Sequence, residues 1–134
     1  MIGGHAAVFY GVRRTTSDID ILVQPTLENG HRIIRAFQDL KLEINSIQAS
    51  DFTMEQLFTF GVEPNAVDIL NFSKGVSVET IFKNALSKKI DDFAVKIIDI
   101  RDLVKNKESL NRTGEKKLTD QLDILALRRI LKSK

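Results

Sequence analysis

The stretch Gly3-Gly4-His5-Ala6-Ala7-Val8-Phe9-Tyr10-Gly11-Val12-Arg13-Arg14-Thr15-Thr16-Ser17-Asp18-Ile19-Asp20-Ile21-Leu22-Val23 decides the fold. Its last six residues alternate polar and apolar before turning fully apolar, which predicts a buried β-strand over Asp18–Val23. A period of two sets Asp18 and Asp20 on one face, with Ile19 and Ile21 on the other. Two carboxylates about 5 Å apart repel by roughly 3 kcal/mol at an effective dielectric of 20. Such a pair belongs at a wet surface or beside a cation. A solvated sheet face is the commoner explanation of an isolated Asp-x-Asp. The alternative is Mg²⁺ (or Mn²⁺), which takes hard oxygen ligands and fills its other positions with water and substrate phosphate.

Upstream, Gly3-Gly4 opens a short helix expected over Gly4–Tyr10, with Gly11 as a left-handed cap. Glycine has no Cβ, so the backbone can approach an anion closely, and a helix start offers free N–H groups. Val12–Ser17 reads as a basic loop in which Arg13 and Arg14 are candidates to neutralise phosphate oxygens. Ser17 adds a hydroxyl. His5 follows the glycines directly, but a single histidine there is more often structural than a ligand.

Downstream, Pro25 ends the strand, and Thr26 caps a helix running to about Leu40 with Ile33, Ile34, Phe37 and Leu40 on one face. Gly30 within it costs about 1 kcal/mol against alanine. His31 is expected at the surface. Residues 50–61 predict a short helix passing into a strand near Phe58, with Phe52, Phe58 and Phe60 in the core. Glu63-Pro64-Asn65 is a turn signal. Ala66–Phe72 is a second strand, in a hairpin with the preceding apolar residues. It carries Asp68, which joins Asp18 and Asp20 if the strands are neighbours. Three carboxylates can hold metal and accept a proton from a hydroxyl nucleophile. Val78–Leu86 reads as a helix, Ala94–Ile100 as a strand, and Asp102–Leu110 and Glu115–Lys132 as helices. Strands and helices mix without strict alternation. An α+β fold follows, a mixed β-sheet with helices packed on it, as a single domain over residues 1–134 with C-terminal helices from about residue 101.

The 134 residues, 43% hydrophobic and 28% charged, suit one globular core. A net charge of +2 sets up no strong field toward nucleic acid or membrane. The basic stretch from Lys116 to Lys134 fits RNA or a solvated face equally. The absence of cysteine excludes disulfides, thiolate zinc sites and cysteine nucleophiles, and fits a reducing cytoplasm. No apolar run approaches the roughly 18 residues of a membrane span. No secretory leader is evident, and Ile2 excludes myristoylation. A cytoplasmic protein without a membrane partner is expected.

The segment from Gly3 to Val23 resembles the signature of the nucleotidyltransferase superfamily typified by DNA polymerase beta. That signature is an apolar residue, Gly, then Gly or Ser, a spacer, and Asp-apolar-Asp. Thirteen residues separate Gly4 from Asp18 here, and Asp68 matches the family's late strand carboxylate. Within it the chain looks like the small stand-alone prokaryotic members related to abortive-infection and toxin-type enzymes. Lys107, Arg112, Asp120 and Asp123 loosely match a C-terminal Lys, Arg and Asp-x-x-Asp of that branch. It departs from the family in its shortened start, where only Met1-Ile2 precede the glycines.

The resemblance implies transfer of a nucleoside monophosphate from an NTP to an acceptor (RNA, protein or small molecule), with release of pyrophosphate. It implies metal on Asp18, Asp20 and Asp68, with Asp68 also able to activate the acceptor hydroxyl. Gly3, Gly4 and Ser17 would touch the triphosphate, while Arg14 and Lys107 would offer positive charge to phosphates. A rival Asp-x-Asp enzyme, a haloacid dehalogenase-type phosphatase, normally ends its motif in Thr or Val where Leu22 stands, and leaves the glycine pair unexplained. The alternative from another class is a non-catalytic binding module of the same fold, half of a toxin–antitoxin or regulatory pair; a cognate antitoxin or a second copy of the chain is the protein partner to expect.

Overall fold

A computed structural model describes residues 1–42, 46–62 and 64–133. Glu63 of the expected turn and Lys134 of the basic end lie outside the described residues. The chain is α+β. Helix α1 (Gly3–Phe9) leads to strand β1 (Ile19–Leu22) and helix α2 (Leu27–Asp39). A 3-10 turn (Ala49–Thr53) precedes strands β2 (Leu57–Phe60) and β3 (Val67–Leu70). Helix α3 (Val78–Asn84), strands β4 (Leu86–Ile90) and β5 (Phe93–Ile97), and helices α4 (Ile100–Glu108) and α5 (Gly114–Lys132) complete the order.

The main sheet is mixed, in the order β1-β3-β2. β2 and β3 form the expected antiparallel hairpin, and β1 runs parallel to β3 with Asp20 opposite Asp68. One face of β3 and β2 is apolar. Val67, Ile69, Phe58 and Phe60 pack there with Phe37 of α2 and Phe52 of the 3-10 turn. All three expected aromatic core residues therefore lie in this cluster. The other face carries Asp20, Asp68 and Thr59 at one end and the apolar Leu22 and Leu70 at the other. A second, larger cluster takes in Leu22 and joins α1, α3, α4 and α5 around Ile97, Ile98, Leu103 and Leu127.

Local chemistry explains several element boundaries. Thr26 accepts from Asn29 N–H at the start of α2, and Ser77 does the same for α3 through Thr80 N–H. Gly30 is required: a Cβ there would collide with the Ala49 carbonyl, so α2 lies directly against the 3-10 turn. Leu40, expected on the buried face, instead follows α2 as its cap and is exposed.

Three expectations at the elements need correction. β1 is an edge strand, and Ile19 and Ile21 remain partly exposed rather than buried. The helix expected through Leu86 stops at Asn84, and Leu86 opens the unforeseen strand β4, which pairs with β5. The strand expected to reach Ile100 ends at Ile97, because Asp99 accepts from Arg101 N–H and caps α4.

Candidate functional site

The parallel register of β1 and β3 brings Asp20 and Asp68 side by side, and their carboxyls share a hydrogen bond. Burial first, then the adjacent Asp68 charge and that hydrogen bond, push Asp20 up to about 6, with Arg112 and Lys107 pulling the other way. Thr59 on β2 donates to Asp68 Oδ1 at 2.7 Å and fixes that side chain from the far side. Asp18 stands just before β1, where its Oδ1 accepts from Ala66 N–H at 3.2 Å. All three aspartates border one cleft of about 560 Å³, together with Gly3, Gly4 and Ser17.

Both glycines are dictated by the site. Gly3 has φ +71°, and a Cβ on it would strike Asp20 Oδ2. A Cβ on Gly4 would strike Thr16 Oγ1 and come within 2.9 Å of the Arg14 guanidinium. The pair thus lets α1 approach the acidic strand and the basic loop at once. His5 lies outside the cleft and meets the Ser17 carbonyl at 3.3 Å. His31 is exposed on α2, as expected.

The expected cations Arg14 and Lys107 both border the cleft, and both are held in ion pairs. The Lys107 side chain is 3% exposed, with Nζ 2.9 Å from Asp123 and 3.6 Å from Asp120. Arg14 is also committed, donating two hydrogen bonds to Asp123 at 2.8 and 2.9 Å. Arg112 forms a two-point pair with Asp120. Hence the loosely matched Lys, Arg and Asp-x-x-Asp residues form one connected network between α4 and α5, extended by Arg14. Burial alone would raise Asp123, but hydrogen bonds from Arg14 and Lys107 hold its carboxyl below the usual range.

Two residues that sequence reasoning missed help to shape the cleft. Asn106 on α4 donates to Ser73 Oγ at 3.0 Å and to the Lys74 carbonyl at 2.9 Å. Gly75, at φ +82°, sits so close to Ser109 that no side chain fits. Together they hold the β3–α3 loop so that Lys74 lines the cleft. Among the described residues, Lys74 and Lys116 border the cleft without an ion pair. The available signal was Lys74-Gly75, a polar-glycine turn directly after an acidic strand. Asn71 is the second structural surprise. It donates to the carbonyls of Phe52 and Met54 and accepts from Gln56 N–H, which fixes the segment leading into β2.

The three-carboxylate cluster is met in part. Among the described residues no three His, Asp or Glu side chains converge closely enough to hold a metal ion. Asp20 and Asp68 do meet, and a carboxylate pair facing an open cleft is a donor set that Mg²⁺ accepts when water and phosphate complete its shell. Asp18, the third expected carboxylate, is instead engaged by Ala66 N–H. No helix among the described residues is long and apolar enough to cross a membrane. No model of a known protein family matches this chain, and no curated protein does.

Proposed function

We propose that the chain is a metal-dependent nucleotidyltransferase that moves a nucleoside monophosphate from an NTP to a hydroxyl acceptor. The observation that carries this reading is the in-register pair Asp20 and Asp68, opposed across parallel strands at a cleft that also collects Gly3, Gly4 and Ser17. Two carboxylates kept together, with Asp20 held above its usual range, have a ready use in binding a divalent cation or accepting a proton. Asp20 and Asp68 would hold Mg²⁺, with Asp18 joining them. Bound there, the ion supplies charge neutralisation and Lewis acidity to the phosphates.

The chain's own residues do the rest. Lys74 and Lys116, rather than Arg14 and Lys107, offer unmatched positive charge to the triphosphate. Arg112 keeps part of its field on Asp20 while it holds Asp120. The acceptor oxygen attacks the α-phosphorus and the bond to the β-phosphate oxygen breaks. Pyrophosphate leaves with that electron pair, and the hydroxyl proton passes to the Asp68 carboxylate.

A second reading, a non-catalytic module of the same fold, draws on one observation: Asp18 is engaged by Ala66 and no three-carboxylate cage is formed. One experiment separates the two. Purified protein is incubated with each α-phosphate-labelled NTP, Mg²⁺ or Mn²⁺ and cell extract. Transfer of label is expected with the wild type and with Lys89→Ala on the exposed β4, and is expected to vanish in Asp20→Asn. Label transfer that survives Asp20→Asn rejects the site, and no transfer from any NTP favours the non-catalytic module.

A further inference from the structure

Helix α5 has two apolar sides, and only one of them faces the core. Leu127 is fully buried among α1, α4 and β5, on the same side as the buried Asp120 and Asp123. On the opposite side Leu118, Leu122 and Leu125 are 60%, 65% and 59% exposed. Three leucines at the centre of a solvent face are not needed for the fold. Their spacing of four and three is that of a helix–helix seam. Extended in both directions at the same spacing, the row reads Glu115, Leu118, Leu122, Leu125, Arg129, Lys132. It is acidic at the start of the helix and basic at its end. None of Glu115, Arg129 and Lys132 has an ion-pair partner among the described residues.

We propose that two copies of this chain pair through α5, antiparallel about Leu122. In that register Leu122 meets the partner's Leu122, Leu118 meets the partner's Leu125, and Glu115 meets the partner's Arg129. The row is self-complementary, which is what a two-fold interface requires. A parallel pairing would set Glu115 against the partner's Glu115 and Arg129 against the partner's Arg129. The charges therefore select both the occupant and its direction. From Glu115 to Arg129 the seam spans about 21 Å of helix. It leaves the Asp120 and Asp123 side untouched. Because Glu115 also borders the acidic cleft, the second copy would stand beside its mouth. The inference holds whether or not the cleft is catalytic.

Sedimentation equilibrium of the full chain, from micromolar to submillimolar concentration, tests it, with circular dichroism of every variant to check helicity. The wild type is expected to pass with concentration from 15.1 kDa to twice that mass. Leu122→Glu, which sets two carboxylates against each other at the seam centre, is expected to weaken pairing by roughly 100-fold. Leu118→Gln with Leu125→Gln is expected to act in the same direction without adding charge. Glu115→Lys alone is expected to weaken pairing by about tenfold, and adding Arg129→Glu to restore most of it. A chain monomeric throughout, or a dimer indifferent to Leu122→Glu, overturns the interface. Failure of the double exchange to restore pairing overturns the antiparallel register.

Discussion

At the acidic cleft, Asp20 and Asp68 oppose each other with little positive charge in contact. Between α4 and α5, Asp120 and Asp123 are met by Lys107, Arg14 and Arg112. Each region brings two aspartates together, and in each burial works against the charge of a carboxyl, Asp20 in one and Asp123 in the other. In the network the opposing charge is supplied within the chain, and Asp123 titrates below its usual range. In the cleft no cation among the described residues pairs directly with Asp20, burial and the Asp68 charge outweigh the fields of Arg112 and Lys107, and Asp20 rises to about 6. The same side chain therefore stabilises in one place and strains the fold in the other. The strained pair borders the open cleft.

The sharpest way to break this contrast is one isosteric change made in both regions. Asp123→Asn leaves the buried Lys107 ammonium with Asp120 alone, at 3.6 Å, and removes the charge partner of Arg14. A loss of about 3–5 kcal/mol is expected in urea unfolding. Asp20→Asn removes a carboxylate that its neighbour repels, and a gain of about 1 kcal/mol is expected in the same titration. Shifts of the same sign in both variants would abolish the distinction.

The pH dependence sharpens it further. Asp20 binds its proton more tightly folded, at about 6, than its ordinary 3.8. Its ionisation therefore removes stability as pH rises from about 4 to 6, and the loss is complete above that window. Asp123 acts with the opposite sign: its contribution is in place above pH 3.8 and disappears as pH falls through its lowered value. The melting-temperature advantage of Asp20→Asn over the wild type should accordingly be small at pH 4.5 and widen toward pH 7. A constant offset would place the cause elsewhere than in the Asp20 carboxyl.

Much of this was legible in residues 3–23 and 66–72. Period-two alternation exposed β1, and the Pro64 turn signal with the apolar run after it led to β3 and the β2–β3 hairpin. Asp20 and Asp68 were expected together for the physical reason later seen in the register. Strand β4 was hidden because Leu-Ser-Lys-Lys-Ile is exposed at every position, so no face is buried to leave a period. Asp91, at φ 53°, makes the tight turn that pairs it with β5. The ion network was hidden for another reason. Charges on a helix normally signal solvent, and the partner that changes their meaning lies far away in sequence: Arg14 and Asp123 are 109 positions apart. Lys107 was singled out by resemblance alone, and neither neighbouring residues nor spacing disclose that Asp120 and Asp123 already engage its charge.

Asn71 has a consequence for tolerance to mutation. Its amide nitrogen faces two carbonyls while its oxygen faces an N–H, so one planar group serves both polarities in a site 3% exposed. Exchange for aspartate changes a single heavy atom and, in codon terms, a single base. It nonetheless turns two attractions into repulsions and releases the strap that seats Phe52. By any similarity score it is among the mildest replacements in the chain, yet it strikes where shape is kept and polarity is lost.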